Sequence, residues 1–276
     1  FLTVCIIKKM KKKILVAYLC TKYEDNKAFV KFINSYKKYK AGHAHNLLIC
    51  YKLLDNKKLK FCRNVAKTTK HSEFVDGETK NDYDFGSLSR VAKKYKKMPI
   101  FYFNGHSYPV KNNWLKKTSK YLKKNTLIGT TGSYESLYTS LKIKKYYKIF
   151  KNIYNLFFFK VFFNAFPNPH LRTANFLFNS IDFLNFNKDK IYNNKIDAWK
   201  SESGKNSLTN FFLKKGYKIL IVNSDGRAFT IPEWKLSNTY CHKNQEKLLI
   251  SDKHTHKYSI SNKLQKRKLE KKAWGF

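Results

Sequence analysis

Short, continuously apolar runs alternate with amphipathic ones through most of this chain. Ile14–Cys20 is apolar throughout behind the basic Lys11–Lys13, the pattern of a strand covered on both faces. After Thr21-Lys22, Asp25 stands in N-cap position. Ala28, Phe29, Phe32, Ile33 and Tyr36 behind it share one helical face, and Gly42 closes the unit. Asn46–Leu53 reads as a second strand, Glu73–Val75 as a short third and Ile100–Phe103 as a fourth. Trp114-Leu115 and Tyr121-Leu122, seven apart, predict a helix, and Leu127-Ile128 a short strand. Further on, Asn175–Asn179 and Tyr217–Val222 read as strands. Between them lies a helix carrying Leu208, Phe211, Phe212 and Leu213, with Gly216 as its C′ residue. This spacing, without internal repeats, predicts an α/β fold: a doubly wound, mainly parallel Rossmann-type sheet with helices on both faces. Ile14–Cys20, Asn46–Lys52, Glu73–Val75 and Ile100–Phe103 should be neighbouring strands.

Composition supports that picture and narrows the partners. The 276 residues, 42% hydrophobic and 17% aromatic, can bury a core, and one large domain with a C-terminal extension is expected. A net charge of +39 points to polyanions, but it comes from 52 Lys and 5 Arg spread along the chain. Bidentate reading of phosphates and bases favours Arg, so a specific nucleic-acid partner is not expected. The abundance of Lys, Asn, Phe, Tyr and Ile is what AT-rich codons would produce. The surface should still attract anionic headgroups.

Cys5, Cys20, Cys50, Cys62 and Cys241 show no C-x-x-C spacing, which suggests reduced thiols in a cytoplasmic protein. Met10-Lys-Lys-Lys-Ile reads as a natural start. No apolar run reaches 18 residues, and Tyr154–Phe166 is interrupted by Asn155, Lys160 and Asn164. The aromatic, basic stretch Tyr138–Phe163 is expected to form one or two helices. Its aromatic stripe reads as core, with a membrane-apposed helix near a lipid-linked acceptor as the other reading.

Residues 101–136 are the centre of the chain. The strand ending at Phe103 breaks at Asn104-Gly105, a dipeptide that favours positive φ, and His106-Ser107-Tyr108-Pro109 follow. Then come Asn112-Asn113, Trp114-Leu115, a lysine-rich helix, and Leu127-Ile128-Gly129-Thr130-Thr131-Gly132. Polar groups at the carboxyl end of such a strand sit where open α/β sheets bind ligands. The order of elements resembles the centre of family 2, GT-A-type glycosyltransferases over about residues 14–225. There an apolar strand leads into an acidic metal-binding turn, then Pro, Trp-Leu, a helix and an Ile-Gly strand. This chain has Asn104-Gly105-His106-Ser107 where that family has its acidic pair.

The resemblance implies a GT-A-like domain over residues 10–232, with 233–276 as an extension packing on it. It also implies site residues. Asp84 would accept hydrogen bonds from the base or ribose, with Arg90 near the diphosphate and Ser87 beside them; Asp84 or Ser87 also suits a helix N-cap. Asn104, Gly105, His106 and Ser107 would complete the nucleotide-sugar site and line the largest polar cleft. Within Trp199–Ser207, Glu202 matches the catalytic base, placed just before a helix, and Asp197 ranks second. His170 and Arg172, in a Pro-rich string, would hold an acceptor group or the leaving diphosphate, the other reading being a buried His and an ion-paired Arg.

Stabilising a departing diphosphate normally takes a divalent ion. Two routes stay open here: Mn²⁺ or Mg²⁺ held through His106, or metal-independent stabilisation by His106, Arg90 and Arg172. His242, Asp252, His254 and His256 are of metal-ligand type but match no common spacing, and His254 and His256 would share a face only on a strand. Lys263–Lys272 reads as a solvated basic helix.

The functional expectation is sugar transfer from a nucleotide-sugar to a cell-surface glycan or its precursor, lipid-linked acceptors included. Peripheral contact with the anionic inner face of a membrane is part of it. The alternatives are a non-catalytic relative that binds glycan or nucleotide, and a basic nucleic-acid binder.

Overall fold

The computed structural model describes residues 13–143 and 149–275, so Cys5 and Met10 lie outside the described residues. The first half runs β1 (Ile14–Thr21), α1 (Asn26–Lys38), β2 (His45–Lys52), α2 (Asn56–Ala66), β3 (Ser72–Asp76), α3 (Tyr83–Lys94) and β4 (Pro99–Phe103). It continues with β5 (Tyr108–Pro109), α4 (Trp114–Ser119), β6 (Thr126–Gly129), β7 (Gly132–Ser133), α5 (Leu137–Ile143) and α6 (Ile149–Phe162). Then come β8 (His170–Leu171), β9 (Asn175–Asn179), α7 (Ser180–Asn187), α8 (Lys195–Ser203), α9 (Leu208–Lys214), β10 (Lys218–Val222) and β11 (Ala228–Phe229). The chain closes with β12 (Ile250–Ser251), α10 (Lys253–Ile260) and α11 (Lys263–Trp274).

Eight strands form one mixed sheet in the order β11-β10-β6-β9-β4-β1-β2-β3. The four predicted neighbours lie side by side, β3-β2-β1-β4, all parallel. β9 runs antiparallel between β4 and β6, and β11 antiparallel on β10, which makes the sheet mixed.

Alternation along β1 explains the two layers. Leu15, Ala17 and Leu19 join one core with Phe85, Leu88 and Val91 of α3, Phe183 and Phe186 of α7, and Leu208 and Phe212 of α9. Ile14, Val16, Tyr18 and Cys20 point the other way, into a core with Phe29, Phe32 and Ile33 of α1, Cys62 and Ala66 of α2, and Trp114 and Leu115 of α4. Each fully buried Leu, Ile or Phe contributes roughly 1.5–3 kcal/mol of transfer free energy. Asp25 caps α1 by accepting the Ala28 N–H at 2.8 Å. Gly42 and Gly216 both adopt the left-handed φ that ends a unit cleanly.

Beyond β11 the chain returns over the sheet. Trp234 is fully buried, and β12 pairs antiparallel with β5. The basic helix expected at Lys263–Lys272 runs on to Trp274, and its end is not solvated. Ala273 and Trp274 are buried, the Trp274 indole N–H donating to the Tyr240 carbonyl at 2.9 Å. Two helices, α5 and α6, occupy the aromatic stretch. None of the described helices is long and apolar enough to cross a membrane. Cys20, Cys50, Cys62 and Cys241 are buried free thiols.

Candidate active site

The strand order reverses between β1 and β4, with β2 and β3 on one side of β1 and β4 on the other. Ligands of open α/β sheets bind in the crevice beyond the carboxyl ends at such a switch point. Asn104 leaves β4 at that end, and its side chain organises the turn. Its Oδ1 accepts the His106 N–H at 3.2 Å and the Ser107 hydroxyl at 2.8 Å, and its carbonyl accepts the Ser107 N–H at 3.0 Å. Ser107 is therefore buried as a brace of the turn, also donating to the Ala174 carbonyl at 3.0 Å, and does not face the cleft.

Gly105 corrects the expected positive φ, since its backbone lies outside the left-handed region. Glycine is needed there for space: a β-carbon would sit 2.4 Å from the Glu24 Cδ. Glu24 itself is held at the end of β1, accepting the Thr21 N–H at 2.9 Å and hydroxyl at 2.6 Å.

Asn104 and His106 line a cleft of about 240 Å³ together with Asp84, Arg172, Trp199 and Glu202. Lys195, Lys253 and His254 add positive or titratable groups to its wall. Two other hollows are roomier but less polar in their lining. One of about 560 Å³ lies against α1, and one of about 480 Å³ opens at the ends of β1, β2 and β3. The latter is lined by Lys22, Tyr51, Asp55, Asp76 and Gly77. Tyr51 is itself buried, and its hydroxyl has no hydrogen-bond partner among the described residues.

Asp84 lies in the first turn of α3, behind the N-cap position held by Asp82, so neither it nor Ser87 is the cap. Burial pushes its carboxyl up to about 6, with the nearby charges of Glu24 and Glu202 adding to the rise and Tyr102 and Lys52 opposing it. A carboxyl perturbed in this way within a cleft marks a functional candidate.

Glu202 sits in the last turn of α8, not at a helix start. The chain breaks at Gly204, and α9 begins afresh with Ser207 as its cap. The Thr173 N–H donates to Glu202 Oε1 at 3.2 Å and fixes the carboxylate at the cleft wall. Asp197, the second-ranked base, is instead the N3 residue of a capping box with Asn194. Its Oδ2 accepts the Asn193 and Asn194 N–H groups at 3.1 and 3.3 Å, and it does not line the cleft.

Four other expected residues, Arg90, Ser87, His170 and Arg172, are placed elsewhere or already engaged. Arg90 is saturated by carboxylates: its Nε and Nη2 donate to Asp76 at 2.6 and 2.7 Å, and its Nη1 donates to Asp82 at 2.6 Å. Ser87 donates to the same Asp76 at 2.6 Å. These contacts stitch α3 to the end of β3 and leave Arg90 off the Asn104 cleft. His170 is buried on β8, its Nδ1 2.8 Å from the Asn168 carbonyl, and it does not reach the cleft either. Arg172 does reach it, but its charge is met by a two-pronged bond to buried Asp252 at 2.6 and 3.3 Å, and it stacks on Tyr240 at 4.1 Å. Burial alone would raise the Asp252 carboxyl, but Arg172 and the Thr255 N–H hold it below the ordinary range.

Metal ligation gains no support from the donor set. Among the described residues no three His, Cys, Asp or Glu side chains converge as a metal site, so His106 stands without acidic co-ligands. Asp252 is committed to Arg172 and to capping α10. His254 and His256 lie on that helix, where residues two apart point about 200° away from each other.

Sequence reasoning missed Glu24, Thr173, Trp199, Lys195 and Lys253. Glu24 alone had a usable signal: it follows the carboxyl end of a buried strand next to the switch point.

No protein-family model matches the sequence, and no curated protein does. Solved structures similar to this one include 4-diphosphocytidyl-2C-methyl-D-erythritol synthase from Anaerococcus prevotii, at 12% identity and TM-score 0.45, covering 76% of this chain and 88% of that one. Another is the apo-form glycosyltransferase GlyE of Streptococcus pneumoniae, at 8% identity and TM-score 0.42, covering 76% of this chain and 45% of that one. Mouse xyloside xylosyltransferase 1 is similar at 7% identity and TM-score 0.38, covering 63% of this chain and 68% of that one.

Proposed function

We propose that this protein transfers a glycosyl group from a nucleotide-sugar to a glycan or lipid-linked acceptor, with Glu202 as general base. The observation that carries this reading is the convergence of Glu202, Asp84, Asn104 and His106 on one cleft at the sheet's switch point. Sugar transfer with inversion needs one carboxylate to take the acceptor hydroxyl proton as that oxygen bonds to the anomeric carbon. The bond from that carbon to the diphosphate breaks in the same step. Glu202 is oriented for proton removal by the Thr173 N–H, and Trp199 offers an apolar face to a sugar ring.

The hollow at the ends of β1–β3, walled by Leu53, Leu54, Asp55 and Gly77, suits the nucleobase. The diphosphate would cross the end of β1 toward His106, and Asp84, when ionised, would accept a hydroxyl of the ribose or sugar. Lys195, Lys253 and His106 supply the cleft's response to negative charge on the leaving group. No step is routed through a metal, because no ligand set for one assembles among the described residues.

That same missing set favours a second reading, a binding protein that retains the nucleotide site without turnover. Calorimetric titration with nucleoside diphosphates and nucleotide-sugars, with and without Mn²⁺, tests the proposal. Saturable binding of one nucleotide class, lost with Gly77→Trp, which would fill the hollow, is expected, and no binding of any nucleotide would refute both readings. Release of the nucleotide on adding acceptor separates transfer from binding alone.

A further inference from the structure

Helix α6, Ile149–Phe162, has the sequence IFKNIYNLFFFKVF, which is apolar around much of its circumference. A helix of that kind is normally buried. Here Phe157 is 67% exposed and Val161 61% exposed. They are four residues apart and so lie on one face. The neighbouring flank is anchored: Phe163 is buried, and the Lys200 ammonium lies 5.5 Å from the Phe158 ring and 4.0 Å from the Phe162 ring. The Lys205 N–H also donates to the Phe162 carbonyl at 2.8 Å. At 14 residues the helix is about 21 Å long, well short of the ~30 Å hydrocarbon core of a bilayer.

We infer that α6 is a membrane-docking helix. It lies in the plane of an anionic lipid surface, with Phe157 and Val161 among the acyl chains and Lys160 at headgroup level. Charge selects this occupant. The chain carries +39, so a second copy would be repelled and an anionic surface attracted. Two large apolar side chains one turn apart, with exposed Lys160 beside them, suit a lipid plane. Because α6 packs through Lys200 on α8, the helix that presents Glu202, docking would bring a lipid-linked acceptor to the cleft. That last consequence rests on the glycosyl-transfer reading, but vesicle binding does not.

The test is co-sedimentation of the full chain with phosphatidylcholine vesicles and with mixed phosphatidylcholine–phosphatidylglycerol vesicles at physiological salt. The parent should partition onto the mixed vesicles. The charge-neutral Phe157→Ser, Val161→Ser variant should lose about tenfold or more of that partitioning while keeping the parent melting temperature, since both side chains are exposed. The distant Lys263→Glu variant, which lowers net charge, should lose much less. Phe157→Trp should show a blue-shifted emission on mixed vesicles. Equal binding by parent and Ser variant would mean that overall charge does the binding, and would overturn the inference. So would absence of vesicle binding, or a parent dimer that the Ser variant breaks while vesicle binding is unchanged. None of these outcomes needs a donor or acceptor, so failure here is separable from failure of the transfer reading.

Discussion

Asp252→Asn probes how the C-terminal segment is tied to the cleft. Asp252 and Arg172 form a buried ion pair, with side-chain exposures of 2% and 8%. Removing one partner of such a pair strands the other charge and typically costs about 3–5 kcal/mol. Asparagine keeps an acceptor for the His254 and Thr255 N–H groups, now met at 2.7 and 3.0 Å, so the cap of α10 survives and the cost should fall near the lower end, about 3 kcal/mol. For a chain of this size that corresponds to a fall of roughly 6–12 °C in melting temperature.

Urea denaturation at neutral pH, with the m-value checked for constancy, measures it. The pH dependence identifies the cause. The folded Asp252 carboxyl titrates below its unfolded value of about 3.9, so its contribution is full above that pH and is lost as pH falls through the folded value. The gap between parent and variant should therefore close in acid. Replacing Arg172 and Asp252 together by apolar residues should cost less than either single change. A variant within about 1 kcal/mol of the parent at neutral pH would refute the assignment of this pair as the tie between the two segments.

Three further outcomes follow from the same geometry. Asp84→Asn should melt higher than the parent at pH 8 and equally at pH 4, because the fold favours the protonated carboxyl and its penalty appears only as pH rises toward about 6. Gly105→Ala should destabilise by about 1–3 kcal/mol through the clash with Glu24 and not through backbone strain; a neutral effect on urea midpoint would contradict the 2.4 Å approach. Arg90→Lys should lower stability by about 1–3 kcal/mol, since a lysine cannot bond Asp76 and Asp82 together, while leaving nucleotide affinity nearly unchanged by calorimetry.

The sheet was legible in the sequence because strands covered on both faces are written as nearly unbroken apolar runs. Ile14–Cys20 and Asn175–Asn179 could hardly be read otherwise, and the two cores follow from alternation along them. The placement of Asn104 and His106 was legible for the same reason: a strand end fixes where the next residues emerge. The partners of charged side chains were not. Arg90 sits near Asp84 in sequence, but Asp76 and Asp82 take its guanidinium, and Arg172 meets an acid eighty residues away. Glu202 showed a milder form of the problem. Its approximate location was readable, but the helix boundary turned on Gly204, so a residue expected at one helix's start lies at another's end. Gly105 is the converse, a glycine explained by a neighbour's carboxylate and invisible to turn statistics.

The central claim is that Glu202 removes the acceptor proton in glycosyl transfer. The direct measurement is release of nucleoside diphosphate from the bound nucleotide-sugar, on adding acceptor, by the parent and by Glu202→Gln, with melting temperatures and donor affinities matched. The account predicts turnover by the parent and a loss of roughly 10²–10⁴-fold in the variant, with donor affinity unchanged. A Glu202→Gln protein that turns over at the parent rate would contradict it.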